Sequence, residues 1–292
     1  MTRRALIAPL AFACLVAAGA HILAQAPTST AQPPATTGGP APTAAPAPAQ
    51  AAGPTVPPST CPEMATALTT LLRNDARLSD WPALARYREA NRTLAPAGAT
   101  EQRVVFMGDS ITDAWQQPRF GGFFPGKPYV DRGISGQTTP QMLLRFRRDV
   151  IELKPKVVVI LAGTNDIAGN TGTMSDEDIQ NNLMSMSQLA HANNIKVVFG
   201  SVTPVSAYHT AMPRGVPQTS LRPMTRIKAL NDWMKKYATA NGDIYLDYFS
   251  AMTDQDGLMR TELTEDDLHP NAKGYAIMAP LAEAAIAEAL KK

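Results

Sequence analysis

Three observations predict an α/β fold, a three-layer α/β/α sandwich around a central, mainly parallel sheet. Short β-rich apolar runs alternate with helical patterns, the runs are apolar nearly throughout, and polar, glycine-containing segments follow several of them. Strands covered by helices on both faces read in this way, because neither face meets water. Residues 61–95 come first, with Met64, Leu68, Leu71 and Leu72 at helical spacing, then Trp81, Leu84 and Tyr87 after Pro82. Proline suits a helix's first turn, so this stretch predicts two helices. Strands are predicted at 104–107, 157–161, 196–200 and 243–246, and helices at 139–153, 176–192, 224–240 and 272–290. Open α/β sheets bind ligands at the carboxyl ends of their strands, which directs attention to Gly108, Gly163 and Ser201.

The first 60 residues read differently. Arg3 and Arg4 precede an apolar run from 5 to 20, the pattern of a secretory signal peptide cleaved between 20 and 26. The run is short for a membrane-spanning helix, so no stable membrane insertion is expected after cleavage, and the location expected is periplasmic or secreted. Residues 27–60 are mostly Ala, Pro, Thr and Gly without charge and hold ten of the 25 prolines, a disordered, semi-stiff linker. His21 and Cys14 fall in the signal segment. Cys61 then stands alone as an incidental or intermolecular thiol.

Composition excludes several functions. Two cysteines make neither a disulfide framework nor a four-ligand zinc site. Of 27 basic residues, Arg3 and Arg4 lie outside the domain, leaving 25 basic against 25 acidic groups over 63–292. A balanced domain lacks the positive field that neutralises phosphates, so nucleic acid is not an expected partner.

The chemistry concentrates in four segments. Val104-Val105-Phe106-Met107 runs into Gly108-Asp109-Ser110, which displays a serine as a nucleophile requires, although serine after a strand also caps helices. Thr264-Glu265-Asp266-Asp267-Leu268-His269-Pro270-Asn271 offers a base in His269 and an orienting carboxylate in Asp266, three residues apart. His191 and His209 have no comparable carboxylate close in sequence. Arg132-Gly133-Ile134-Ser135-Gly136-Gln137 and Gly163-Thr164-Asn165-Asp166 offer backbone and amide N–H donors for an oxyanion. Neither has the spacing of a dinucleotide or phosphate-binding loop.

Together, in this order, the four segments resemble the SGNH hydrolases, the GDSL esterase and lipase family, over about residues 100–290. The resemblance implies a flavodoxin-like fold and an ester hydrolase without metal or organic cofactor. Ser110 is implied as nucleophile and Asp266 with His269 as acid and base, with Ser110 N–H, Gly136 N–H and the Asn165 side chain as oxyanion donors. Asp80-Trp81-Pro82 and Arg86-Tyr87-Arg88 also resemble an extension of exported bacterial members. Two departures stand out: Asp131 where relatives often carry Asn, and Asp267 where Gly is common. Asp267 is expected either to raise the basicity of His269 or to compete for its ring. Asp109 and Asp113 either make the mouth acidic or cap the turn.

The expected substrate is a small acyl ester, acetyl foremost, of carbohydrate or lipid. Residues 202–223, with Tyr208, His209 and Met212, form a candidate substrate wall or lid, or else a disordered insertion. Two alternatives share the sequence: an O-acyltransferase using Ser110, and a noncatalytic carbohydrate-binding module. Oligomeric state is not legible.

Overall fold

The computed structural model describes residues 62–209 and 215–292. The expected signal peptide, linker and Cys61 lie outside the described residues, as does the part of the 202–223 loop that holds Met212. Five strands, β1 (Val104–Gly108), β2 (Tyr129–Gly133), β3 (Val157–Leu161), β4 (Lys196–Gly200) and β5 (Ile244–Leu246), form one sheet in the order β2-β1-β3-β4-β5. Every neighbouring pair is parallel. Gly108 stands level with Gly133 on one side and Leu161 on the other, so the carboxyl ends of three strands line up.

The helices are α1 (Pro62–Ser79), α2 (Arg88–Thr93), α3 (Ser110–Ala114), α4 (Thr139–Asp149), α5 (Thr164–Ile167), α6 (Asp176–His191), α7 (Gln218–Leu221), α8 (Met224–Asn241), α9 (Tyr248–Met252) and α10 (Ala272–Ala289). Alternation along the strands assigns each to a face. Val105, Met107, Val158, Ile160, Val197 and Phe199 meet Met142 and Phe146 of α4, Ile179, Leu183 and Met186 of α6, and Leu230 and Met234 of α8. Val104, Phe106, Val157, Val159 and Leu161 meet Ile111 of α3, Trp115, and Tyr275, Met278 and Ile286 of α10. Each such side chain, removed from water, contributes about 1.5–3 kcal/mol. The three-layer sandwich expected from sequence is the fold observed.

Strand β2 is absent from the sequence reading. Its YVDRG carries two polar residues in five, as suits an edge strand, and its neighbours supply what the pattern lacks. The Tyr87 hydroxyl donates to the Gly133 carbonyl, and the Arg132 guanidinium lies 4.6 Å over the Tyr87 ring. The extension therefore braces the sheet edge. Its second helix begins at Arg88 rather than near Pro82, because both oxygens of Asp80 accept the N–H groups of Leu84 and Ala85 in a turn that holds Ala83 at φ +56°. Along α1, Leu68, Leu71 and Leu78 remain exposed, which a core-packed helix would not allow. The predicted 139–153 helix ends at Asp149, where Val150 leaves helical geometry and a single 3-10 turn, Ile151–Leu153, follows.

Gly133 closes the strand where it passes α3. A Cβ there would lie 2.1 Å from the backbone nitrogen of Asp113, so no other residue fits without moving the nucleophile's helix.

The same edge places Asp131 in the interior. One carboxylate oxygen accepts the Gly133 N–H at 2.7 Å. Burial first and nearby Asp113 second, against the lowering effect of that bond, raise the acid to about 7. An unfolded aspartate titrates near ~3.9, so folding takes up a proton between the two values. The stability associated with the neutral acid is present at low pH and is lost as pH rises toward 7. Asp131→Asn should therefore raise Tm at pH 8 and have a smaller effect at pH 5. Thermal unfolding at both values checks it; an equal shift at both would contradict the buried, ionising carboxyl.

Candidate active site

The carboxyl end of β1 turns sharply at Gly108 into Asp109 and α3, which begins at Ser110. Asp109 is buried, and its Oδ1 accepts the Ile111 N–H at 2.9 Å. It caps the turn and does not contribute to an acidic mouth; burial raises its carboxyl to about 6. Asp113 holds the adjoining loop, accepting the Ser135 N–H at 3.1 Å and hydroxyl at 2.6 Å, and pairs with Arg86 at 3.4 Å. Both aspartates thus take the capping and bracing role that the sequence left as one of two readings.

Ser110 Oγ lies 2.8 Å from His269 Nε2, across 159 positions of sequence. His269 Nδ1 lies 2.6 Å from Asp266 Oδ2. Asp266 Oδ1 accepts the backbone N–H groups of His269 at 2.7 Å and Leu268 at 3.1 Å. Partial burial works to raise the Asp266 acid, but the bonds from the His269 ring and backbone outweigh it and hold the carboxyl well below the usual range. The carboxylate is therefore charged at neutral pH. The 264–270 turn is closed by a bridge between Thr264 and Pro270, and Asn271 caps α10 through the N–H groups of Lys273 and Gly274. Tyr275, one turn into α10, donates to the Ile111 carbonyl at 2.7 Å and packs on Trp115 and Phe120. This one buried tyrosine ties the histidine's helix to the serine's.

Asp267 takes neither role expected of it. Its carboxylate faces the 206–209 segment, accepting from the Ser206 hydroxyl, the N–H groups of Tyr208 and His209, and pairing with His209 Nδ1 at 2.8 Å. Its backbone sits at φ +66°, the left-handed region that favours glycine. His209 thus has a carboxylate partner far away in sequence. His191 has one too, Asp243 at 2.6 Å, but that pair sits where β5 begins, at the end of the sheet remote from Ser110.

Asn165 and Gly136 meet beside the same strand ends. Asn165 is buried at the start of α5, and its Nδ2 donates to the Gln137 carbonyl at 3.0 Å. Gly136 adopts φ +81°, and its carbonyl accepts Asn170 Nδ2 at 3.1 Å. Asp166 joins this block to α4 by accepting the Thr139 N–H and hydroxyl at 2.9 and 2.6 Å.

Beneath them lies Arg145, with no exposed surface. It donates to the Gly108 carbonyl and Asp149 at 3.1 Å each and to Gln137 Oε1 at 2.5 Å. Sequence reasoning missed Arg145 and Tyr275 as parts of the site and gave Asp166, within one of the four segments, no role. The one signal available was Arg145 four residues before Asp149 on an amphipathic helix, which reads equally as a surface pair.

A cleft of about 290 Å³ opens over Ser110 and His269, walled by Ala114, Arg119, Phe120, Glu265 and Pro270. The 119–120 and 265–271 segments form most of its walls; no described residue of 202–223 lines it. Among the described residues no three His, Cys, Asp or Glu converge as a metal site, and no helix is long and apolar enough to cross a membrane.

Similarity to known proteins follows the same segments. A GDSL-like lipase from Bacteroides thetaiotaomicron superposes with a TM-score of 0.65 at 39% identity, covering 71% of this chain and 98% of its own. Platelet-activating factor acetylhydrolase IB subunit alpha2 of Rattus norvegicus is 28% identical over 200 residues, 66% of this chain and 80% of that protein. An uncharacterized lipoprotein of Bacillus subtilis, YqeF, is 34% identical over 79 residues, 26% of this chain; the match spans 32% of that relative. The model of the GDSL-like Lipase/Acylhydrolase family matches residues 106–277, more than half of the chain and all of the strand ends described above. The chain belongs to this family and is a carboxylic ester hydrolase of the GDSL type.

Proposed function

We propose that the protein is a serine esterase that hydrolyses small acyl esters, acetyl foremost, through an acyl-enzyme. The observation that carries this reading is the relay from Ser110 Oγ through His269 to Asp266, at 2.8 and 2.6 Å. His269 accepts the Ser110 proton as Oγ attacks the ester carbonyl. Charged Asp266 holds Nδ1–H toward itself, so that Nε2 is the free base, and stabilises the imidazolium that forms. The oxyanion is held by the Ser110 and Gly136 N–H groups and by the second Nδ2 hydrogen of Asn165, the first being engaged on Gln137. The alcohol leaves with the proton from His269. Water, deprotonated by the same ring, then releases the acid and restores Ser110.

Cleft size supports a short acyl group. A volume of about 290 Å³ is just below the ~300–1,000 Å³ usual for ligand pockets, and Phe120 and Pro270 are among its walls. The name of the rat relative also speaks of removing acetyl. The basic-then-apolar N-terminus and the proline-rich 27–60 segment support export and a tethered domain.

Ser110→Ala and His269→Ala should each abolish p-nitrophenyl acetate turnover and leave the thermal transition nearly unchanged; substantial turnover in either would remove that residue from the relay. A fluorophosphonate should label Ser110 alone, as read by peptide mapping. Asn165→Ala should lower kcat on the order of 10²-fold, the usual cost of an oxyanion donor; a minor change would make Asn165 structural. Across p-nitrophenyl esters, kcat/KM should fall at least about tenfold from acetate to octanoate, since methylenes without room cost at least this much. A flat or rising series would contradict a short acyl site.

A further inference from the structure

The 202–223 loop ends at α7 and Arg222, just before Pro223 and α8. Arg222 is 3% exposed, and its guanidinium reaches the segment that carries Asn165. Nε donates to Thr164 Oγ1 at 2.9 Å, Nη1 to Gln218 Oε1 at 2.5 Å, and Nη2 to Asn165 Oδ1 at 3.4 Å. The last contact is long, but in a buried setting a full charge acts over such a distance.

The pattern fixes an orientation. A guanidinium can only donate and a peptide carbonyl can only accept. Asn165 lies between one of each, with Oδ1 toward Arg222 and Nδ2 toward the Gln137 carbonyl. Turning the amide by half a revolution would set its NH2 against the guanidinium and its oxygen against the carbonyl. Arg222 also draws electron density toward Oδ1, which makes the Nδ2 hydrogens stronger donors. Its charge extends to Asp109, next to Ser110, where it opposes the burial that raises that carboxyl.

We infer that Arg222 is a positioning residue that locks and polarises the Asn165 amide as an oxyanion donor. The 215–223 segment, the described end of the 202–223 loop, thereby reaches the site through Arg222, while the 119–120 segment lines the cleft. This inference rests on the oxyanion role proposed for Asn165, and the test separates the two.

The test is a double-mutant cycle on the full-length chain with p-nitrophenyl acetate, active sites being counted by fluorophosphonate titration. Arg222→Met should lower kcat about tenfold with KM within about twofold, yet change kcat by less than about twofold when Asn165 is already Ala, because both act through one amide. Arg222→Lys, which keeps the charge, should retain more of kcat than Arg222→Gln; this pair decides the matter if the Met variant fails to fold. An equal loss in both backgrounds, or Lys and Gln alike, makes Arg222 merely structural and overturns the inference while the role of Asn165 stands. If Asn165→Ala alone leaves kcat unchanged, the oxyanion reading itself fails, and this inference with it.

Discussion

The arrangement at the strand ends depends on one buried cation. Arg145 lies wholly inside the domain, with Asp149 four residues later as its counter-charge. Burying a charge is costly, and removing one partner of such a pair typically costs about 3–5 kcal/mol. What the pair accomplishes is connection. Its guanidinium holds the last carbonyl of β1 and the side chain of Gln137, whose own carbonyl holds Asn165. Asp149 continues outward through Asn91 to Arg132 on the edge strand. One charged group thus sets the spacing between the serine turn, the Gly136 loop and the Asn165 helix, and a neutral side chain with fewer donors could not hold all three.

A second constraint comes from the parallel sheet. Because β1, β2 and β3 end level with one another, the loops that leave them emerge side by side, and residues from distant parts of the chain become neighbours. The histidine turn arrives from the far end of the sequence and is not part of any strand, although Leu268 packs into the core on one face of the sheet. Tyr275 on Ile111, with the closed 264–270 turn, fixes it in place. Asp267 adds a brace on the other side through Ser206 and His209. Its left-handed backbone is thus held by five hydrogen bonds to one segment, four on its carboxylate and one on its carbonyl, which offset the strain of a non-glycine residue there.

Periodicity made most of the framework legible. The strands at 157–161 and 196–200 and the helices of 176–192, 224–240 and 272–290 appear within a residue or so of the predicted bounds, because apolar spacing is dictated by the face each must bury. The edge strand β2 and the turn of 80–87 were not legible. Their stability comes from Tyr87, Arg132 and the Asp80 carboxylate, contacts that leave no periodic trace.

The fold class, the order of the four segments and the nearness of an acidic residue to His269 were legible in the residues alone, since residues within one turn are close whatever the rest of the chain does, while the choice of Asp266 over Asp267 rested on the family resemblance. The packing of the folded chain settles that His269 meets Ser110, that Asp267 turns away to His209, that Arg222 reaches the Asn165 amide, and that Arg145 reaches Gln137, whose carbonyl holds that amide. The physical reason is separation along the chain. A hydrogen bond between residues tens to more than a hundred positions apart is fixed by how the helices pack on the sheet, and a buried arginine in a helix or loop carries no mark in sequence of which carbonyl or amide it will satisfy.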